Sequence, residues 1–230
     1  IDQYRKEVAV YTSNARLDNL SDTGYNGSTL FAGLIMDIAN FGNRCVITLD
    51  DGTARLEVSC YAERFNRIKD KLKVDEVIVI KGGIRDRDGR LFARLDNAYT
   101  LLECRQRWVK KISIKIHSAD TRLLDSLQPL LKPAQLDIIP NLPAPSFEEE
   151  VDDNNAMEAY YNNEQGGIGG ISPVPINQND GCIPVALNVY TDFAIASVNL
   201  NDDWRLYPTD ENLMQLGIVV PEDNLYFHYS

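Results

Sequence analysis

Basic and aromatic side chains recur between residues 41 and 94 of this 230-residue chain. Arginine and lysine can pair with phosphate groups, and flat aromatic rings can stack on nucleic-acid bases. A surface that combined both would suit a single-stranded nucleic acid, and each stacked base would contribute on the order of 1–3 kcal/mol. The candidates for this chemistry are Phe41, Arg44, Arg55, Tyr61, Lys81, Arg85, Arg87, Arg90, Phe92 and Arg94.

A plainer interpretation of the same residues stays open. Arginines at a hairpin tip are often only solvated, and Asp86 and Asp88 would partly neutralise the three arginines around residues 85–90. The three aromatic rings can equally belong to a hydrophobic core. The pattern therefore predicts a binding surface more firmly than it predicts any single residue of it.

Motifs of catalysis do not occur in the sequence. It has no phosphate-binding loop, nucleophile elbow or HExxH motif. Its four cysteines, at 45, 60, 104 and 182, lack CxxC spacing, and neither histidine lies near one of them, so we expect no zinc site and no cofactor. Asp50 and Asp51 are interpreted as a strand end and turn, not as metal ligands. We expect no catalytic activity from this chain by itself.

The segment 29–104 has the pattern of strands that would position these side chains. Strands are predicted at 30–41, 44–51, 53–61, 76–89 and 90–103, with a hairpin turn at Asp51-Gly52 and a bulge at Gly82-Gly83. Phe65, Ile68 and Leu72 predict one apolar face of a helix within 62–75. Three strands, a helix and two strands is the order of the oligonucleotide/oligosaccharide-binding (OB) barrel, and another five-stranded meander is the alternative.

The remainder of the chain has a different texture. Residues 1–28 are predicted to be a helical and irregular lead-in, and residues 105–230 a small α+β docking domain. The segment 134–181 is rich in Gly, Pro and acid, and we expect a flexible insert there. The predicted elements of the docking domain are a strand at 108–117, a helix at 121–133, two strands within 183–201, a helix at 209–217 and a strand at 225–229. The predicted fold class is mainly β: a five-stranded OB barrel followed by a small α+β domain.

Charge divides the chain in the same way. The formal net charge is −11, but residues 29–116 hold 17 Lys+Arg against 12 Asp+Glu, whereas residues 117–230 hold 3 against 18. The total charge therefore does not argue against phosphate binding by the first half. No apolar run approaches the roughly 18 residues of a membrane span, so we expect no membrane partner and a reducing, cytoplasmic location. The first residues, IDQYRKEV, suggest the interior of a longer protein.

Several stretches resemble the OB module in the C-terminal region of bacterial DNA polymerase III alpha subunits. These are AGL at 32–34, GNR at 42–44, TLDDGTARLEV at 48–58 and KGG at 81–83. IDQYRKEV before the module, and IPVALNVY, WRLYPTDENLMQLG and NLYFHYS after it, extend the resemblance over nearly the whole chain except 134–181. Anticodon-binding OB domains of class II aminoacyl-tRNA synthetases share the first-strand and hairpin pattern, but the flanking matches favour the polymerase.

The resemblance implies a noncatalytic part of a DNA-directed DNA polymerase. Its OB domain would contact single-stranded template DNA, its closing domain would bind the tau subunit of the clamp loader, and its tail would contact the sliding clamp. The tail departs from clamp-binding peptides, because Asn224 or Asp223 stands where Gln is typical, and the loop ANFGNR has only Arg44 as a basic residue. Alternatives are a protein scaffold without DNA affinity and an RNA-binding OB domain of the synthetase type. The partner-binding candidates are Trp204, Leu225, Tyr226, Phe227 and Tyr229.

Overall fold

A computed structural model describes residues 2–24, 26–131, 181–201 and 204–229. The predicted insert at 134–181 lies outside the described residues except for Gly181. Short 3-10 helices occur at Asp2–Tyr4, Leu17–Asn19, Lys69–Lys71 and Glu222–Asn224. The α-helices are α1 (Arg5–Tyr11), α2 (Ala62–Ile68), α3 (Leu101–Trp108), α4 (Thr121–Leu127) and α5 (Asp210–Val219).

The predicted OB barrel is confirmed as a closed five-stranded sheet. Its strands are neighbours in the order β1-β2-β3-β5-β4, and α2 follows β3. All pairings are antiparallel except that of β3 with β5, which is parallel and closes the barrel. The strands are β1 (Thr29–Phe41), β2 (Arg44–Asp50), β3 (Arg55–Tyr61), β4 (Val77–Arg87) and β5 (Arg90–Thr100).

Alternation of apolar and polar residues decides which side chains fill the barrel. On β2, Cys45, Ile47 and Leu49 are fully buried while the residues between them are more exposed. On β3 the same alternation buries every second residue. Ile68 and Leu72 are buried in this core, with Phe65 packed against it, as the helical spacing predicted. The odd residues of β2 and the even residues of β3 therefore point inward, and their neighbours form the outer surface.

Gly82 allows β4 to bend as the barrel closes. The register of β4 against β5 shifts between Lys81 and Gly82, which confirms the predicted bulge. A Cβ at Gly82 would lie 2.1 Å from the carbonyl oxygen of Arg94, so no larger side chain fits without displacing β5. The glycine is required by the close approach of two backbones.

The end of the predicted fifth strand is instead a helix. The strand was expected to run to residue 103, but β5 ends at Thr100 and α3 begins at Leu101. The side chain of Thr100 accepts a hydrogen bond from the N–H of Glu103, and the carboxylate of Glu103 accepts one from the N–H of Thr100. This reciprocal capping box starts the helix, and its Thr-x-x-Glu spacing was the signal that the strand prediction overlooked.

A second sheet follows the barrel. It has the order β10-β6-β7-β8, with β6 and β7 parallel and β9 paired to β7. Leu127 on α4 and Leu216 on α5 are buried in a cluster with one side of this sheet. Its strands are β6 (Val109–His117), β7 (Ile183–Tyr190), β8 (Ile195–Asn199), β9 (Arg205–Leu206) and β10 (Leu225–Tyr229).

Two helix ends in this part differ from prediction. The helix expected over 121–133 ends at Leu127, six residues before the proline taken as its stop, and Asp120 caps its first turn by accepting a bond from the N–H of Leu123. The helix expected to stop at Gly217 continues to Val219. The predicted Thr209 cap is confirmed, since its side chain accepts a bond from the N–H of Asn212.

A buried arginine joins the barrel to the second sheet. Arg105 on α3 is 4% exposed, and its Nε and Nη2 atoms donate to Oε1 and Oε2 of Glu7 at 2.6 and 2.9 Å. Its Nη1 atom donates to the carbonyl of Pro208 at 3.1 Å and lies 2.7 Å from Oδ1 of Asp210. Helix α1 and the start of α5 are thereby tied to α3. Burial acts to lower the pKa of Arg105, but its two carboxylate partners outweigh this effect and raise the pKa.

Candidate nucleic-acid interface

One aromatic–basic–aromatic row crosses three strands at one end of the barrel. Phe41 on β1 lies opposite Arg44 on β2, and Arg44 lies opposite Tyr61 on β3. Directly paired residues project to the same side of a sheet. Phe41 is 67% exposed and Tyr61 is 74% exposed, so neither ring is a core residue. Both rings are available to stack on a base, with a guanidinium between them.

Arg44 is held in this row by a neighbouring hydroxyl. Its Nη2 atom donates to Oγ of Ser59 at 2.9 Å. Ser59 lies two residues before Tyr61 on β3 and therefore on the same outer side of the barrel. This bond leaves Arg44 with further N–H groups that can donate to phosphate.

A second group of residues lies around the β4–β5 turn. The Arg90 guanidinium carbon is 5.4 Å from the centroid of the Phe92 ring, and that of Arg87 is 6.0 Å away. These distances are within the range of cation–π contact. Phe92 is 43% exposed. The turn thus presents two cations gathered on one exposed ring.

Arg94 connects the two groups. It is the parallel partner of Ser59 across β3 and β5, and it lies two residues beyond Phe92 on the same side of β5. Its side chain is 59% exposed, and its Nε atom donates to Oδ1 of Asp96 at 2.9 Å. We call the resulting surface the barrel face; its members are Phe41, Arg44, Ser59, Tyr61, Arg87, Arg90, Phe92 and Arg94.

Three predicted residues lie apart from the centre of the barrel face. Arg55 stands at the opposite end of β3 from Tyr61, about 20 Å away at ~3.3 Å per residue, and its Nε atom donates to Oδ2 of Asp50 at 2.9 Å. Lys81 lies on β4 between Leu30 and Asn97, away from β2 and β3. Arg85 is the cross-strand partner of Phe92, but its Nη1 atom donates to Oδ1 of Asp22 at 3.1 Å, which draws it toward the N-terminal segment.

The barrel face also contains a carboxylate that sequence reasoning missed. Glu57 lies between Arg55 and Ser59 on the outer side of β3, and its Oε2 atom is 4.0 Å from Nη2 of Arg90. Its side chain is 66% exposed. The every-second-residue rule on β3 was sufficient to find both Glu57 and Ser59. A single strand crossing this face must pass beside Glu57 and beside Asp96, the partner of Arg94.

Asp51 stabilises the hairpin turn, as the sequence predicted. Its Oδ2 atom accepts the N–H of Leu17 at 2.9 Å, and its Oδ1 atom accepts the N–H groups of Thr53 and Ala54. Burial acts to raise the pKa of Asp51, but these bonds and one from the Thr53 hydroxyl outweigh it and lower the pKa. The carboxylate binds the turn to the segment that precedes the barrel.

Within the parts of the chain that the structure describes, no group of three or more His, Cys, Asp or Glu side chains is arranged to hold a metal ion. All four cysteines are free and buried, and burial raises the pKa of the Cys60 thiol to about 11. In those parts, no helix has the length and apolar character needed to cross a membrane.

Most of the predicted partner-binding residues are used by the fold itself. Leu225, Phe227, Tyr229 and Trp204 are partly buried and pack against the core of the second sheet. The tail that contains the first three is strand β10, which is paired along its length with β6. Tyr226 differs, because it is 45% exposed. The predicted strand at 225–229 is confirmed, and its alternation explains the difference.

Comparisons with known proteins agree with this geometry. Residues 29–116 match a family described as an OB-fold nucleic acid binding domain, of the tRNA anti-codon type. Relatives named DNA polymerase III subunit alpha match from Haemophilus influenzae, at 30% identity, and Escherichia coli K12, at 27%. Each of these alignments covers 61% of this chain and 13% of the relative. The chain contains an OB-fold nucleic-acid-binding domain related to DNA polymerase III subunit alpha. The predicted resemblance is therefore confirmed.

A third relative extends the match beyond the OB domain. DNA polymerase III subunit alpha of Pseudomonas aeruginosa is 23% identical over 236 aligned positions, which cover 100% of this chain and 16% of the relative. The chain spans about one-eighth to one-sixth of the length of these relatives.

Solved structures with a similar barrel include a replication protein A heterotrimer bound to ssDNA. It has a TM-score of 0.28 and 14% identity, and the match covers 38% of this chain and 60% of that chain. Another is an OBody, NL8, bound to hen egg-white lysozyme, with a TM-score of 0.29, 18% identity and coverage of 32% and 92%.

Proposed function

We propose that this chain binds single-stranded template DNA through the barrel face, as the noncatalytic part of a replicative DNA polymerase. The observation that carries the proposal is the row of Phe41, Arg44 and Tyr61, whose two exposed rings flank a guanidinium. Bases would stack on the rings, and Arg44 would contact the phosphates between them. Arg94 would contribute less than Arg44, because Asp96 accepts two of its hydrogen bonds. DNA-directed DNA polymerase activity would belong to the whole replisome enzyme, in the cytoplasm.

The β4–β5 turn is proposed to extend the binding track. Arg87 and Arg90 lie over Phe92, so a phosphate or base arriving there meets both charge and an aromatic surface. This surface compensates for the β1–β2 loop, in which Arg44 is the only basic residue. Arg85 contributes less than the other two because Asp22 already holds it.

Tyr61→Ala tests the barrel face directly. Loss of one stacking partner is expected to weaken binding of a labelled oligo-dT by about tenfold, since one stacked base is worth roughly 1–3 kcal/mol. Arg44→Ala is expected to lower the log–log salt slope by about 0.7, the value for one phosphate contact of a single strand. Both are read by fluorescence anisotropy.

Arg55→Ala is the matched control, because Arg55 is an exposed arginine on the same strand but at its far end. It is expected to change the Kd by less than about twofold. An equal loss for Arg55→Ala and Tyr61→Ala would refute a localised face and leave only general charge attraction. Tighter binding of tRNA than of oligo-dT would instead favour the RNA-binding alternative.

We also propose that the second sheet and its helices dock the tau subunit of the clamp loader. An exposed apolar surface on two adjacent helices supports this proposal. Met214 and Ile218, one turn apart on α5, are 59% and 70% exposed, and Leu124 on the neighbouring α4 is 43% exposed. Clustered exposed apolar side chains are typical of protein interfaces. We propose no clamp contact by the tail, because strand β10 would have to leave its sheet first.

Met214→Glu combined with Ile218→Glu tests tau docking. The two charges are expected to abolish tau binding, measured by surface plasmon resonance, without changing the affinity for oligo-dT. Asn66→Glu, at an exposed position on α2 of the barrel, is the control and should leave tau binding within about twofold. Retained tau binding by the double variant would remove α5 from the interface and would return Trp204 and Tyr226 to first consideration.

A further inference from the structure

The second sheet has an outer face that differs from the side packed on the helices. Ile112 and Ile114 of β6 are in the cluster with α4 and α5. The residues between and around them, Lys111, Ser113 and Lys115, therefore project to the other side. The paired strands continue this outer sheet face, which we define by Lys111, Ser113, Lys115, Ala186, Asn188, Tyr190, Ser197, Tyr226 and His228.

Acidic residues are excluded from the strands that form this face. Strands β6, β7, β8 and β10 together contain three lysines and two histidines and no Asp or Glu. The surrounding segment 117–230 nevertheless carries 18 acidic residues. The nearest carboxylates in sequence, Asp192 and Asp223, lie beyond the strand ends. The described strands of this face therefore supply cations and no carboxylates of their own, which makes the face complementary to an anion.

Small residues form the floor of this face. Ser113 is 3% exposed and Ala186 is fully buried, and the two are paired across β6 and β7. Lys111 and Lys115 stand two residues to either side of Ser113, about 13 Å apart at ~3.3 Å per residue. The hydroxyl of Ser113 lies 2.8 Å from Nε2 of His228, so the His228 ring is held between the two lysine positions.

Two tyrosines provide ring surfaces beside the lysines. Tyr226 lies opposite Ser113 on β10, and its hydroxyl donates to the carbonyl of Asp223 at 2.6 Å, which fixes the ring. Nζ of Lys115 lies 5.0 Å from the centroid of the Tyr190 ring. The Tyr190 ring also makes an edge contact with His117 at 5.0 Å between centroids. Oriented rings and cations alternate across the face.

We infer that the outer sheet face is a second binding site for single-stranded nucleic acid, separate from the barrel face. Lys111 and Lys115 contact successive parts of the phosphate backbone, and a base stacks against the exposed ring of Tyr226. An acidic protein surface would satisfy the lysines but would leave the oriented rings without a partner. The combination of rings and cations therefore favours nucleic acid.

Photo-crosslinking tests this site with the full chain and an oligo-dT that carries 5-iodouracil. Crosslinks to Tyr226 or Tyr190, identified by mass spectrometry, are expected in the wild type and in the variant Phe41→Ala, Arg44→Ala, Tyr61→Ala. Because the triple variant lacks the central side chains of the barrel face, crosslinks in it test the outer sheet face independently of whether the barrel face binds DNA. Crosslinks confined to the barrel in the wild type would overturn the inference.

Substitutions add a quantitative test in the same barrel variant. Lys111→Ala with Lys115→Ala is expected to reduce the log–log salt slope by about 1.4, twice the value for one phosphate. Lys110→Ala is the matched control, since Lys110 is an exposed lysine on the same strand that projects to the other side, and should leave the slope unchanged. Tyr226→Ala is expected to weaken binding by about fivefold or more. Tyr226→Phe, which keeps the ring, is expected to bind with the affinity of the barrel variant that retains Tyr226.

Thermal melting shows whether each variant is folded at the temperature of the binding assay. A variant that is unfolded at that temperature is replaced by its single substitutions. Poly-glutamate serves as the competing probe. If it displaced the oligonucleotide at equal charge concentration, and Tyr226→Ala had no effect, the face would be a site for acidic protein and the inference would be overturned. Failure of poly-glutamate to compete, together with the Tyr226→Ala loss, supports it.

Discussion

At the scale of single residues, exposure separates binding candidates from structural ones. Phe41 and Tyr61 could have been core residues by type alone, and only their positions on the outer side of paired strands make them accessible. Leu225 and Phe227, which were predicted to bind a partner, are partly buried and pack against the core of the second sheet. Residue type predicted the chemistry, whereas strand register decided which residues can perform it.

Asp51→Asn is a residue-scale prediction about stability. Both carboxylate oxygens of Asp51 accept backbone N–H groups, whereas an asparagine amide has only one oxygen that can accept. The N–H₂ group of the asparagine would face at least one of these donors, so a loss of about 1–3 kcal/mol in the free energy of unfolding is expected. Chemical denaturation at neutral pH measures it. Asp70→Asn, at an exposed carboxylate near α2, is the control and should change stability by less than about 0.5 kcal/mol.

The same residue predicts a pH dependence. Its folded pKa lies below the ordinary value of 3.8, so the contribution to stability is present above that value and is lost as pH falls through the folded pKa. The difference in unfolding free energy between wild type and Asp51→Asn should therefore narrow as the solution is acidified below 3.8. A difference that stayed constant there would contradict the role assigned to the carboxylate charge.

At the scale of elements, local signals predicted most of the strands and missed one helix. Asp51-Gly52 and the alternation around it predicted the β2–β3 hairpin, and Gly82 marked the bend of β4. The segment 101–108 was assigned partly to a strand because Leu101 and Leu102 continue an apolar run. The Thr100–Glu103 capping box decides otherwise. The partnership of Arg105 with Glu7 and Pro208 spans about 100 residues each way and no local pattern encodes it.

Gly82→Ala is the element-scale prediction. The added methyl group would clash with the Arg94 carbonyl oxygen. To remove the clash, β5 would have to move away from β4. A loss of about 3 kcal/mol or more in unfolding free energy is expected, at the upper end for overpacking. Gly89→Ala, in an open turn where φ is +76°, is the comparison and should cost only about 1 kcal/mol. Equal losses for the two variants would remove the special role of Gly82.

At the scale of the whole molecule, the first and second halves of the chain differ in the sign of their net charge. Residues 29–116, which include the barrel face, carry a net positive charge, whereas residues 117–230, which include the apolar surface proposed for tau, are strongly acidic. Repulsion between DNA and the acidic part would help to direct a single strand to the cationic surfaces. Arg105 links α3 to α1 and to the start of α5 through its contacts with Glu7, Pro208 and Asp210.

The most direct test of the central proposal is fluorescence anisotropy of this chain with a labelled oligo-dT of about 16 nucleotides. Titrations at about 50 and about 200 mM salt give the log–log slope of the binding constant. Contacts from Arg44, Arg87, Arg90 and Arg94 predict binding that weakens with salt, with a slope of about −2 to −3 at ~0.7 per phosphate. No binding at the lower salt concentration, or an affinity independent of salt, would contradict the proposal and would make the barrel a structural link.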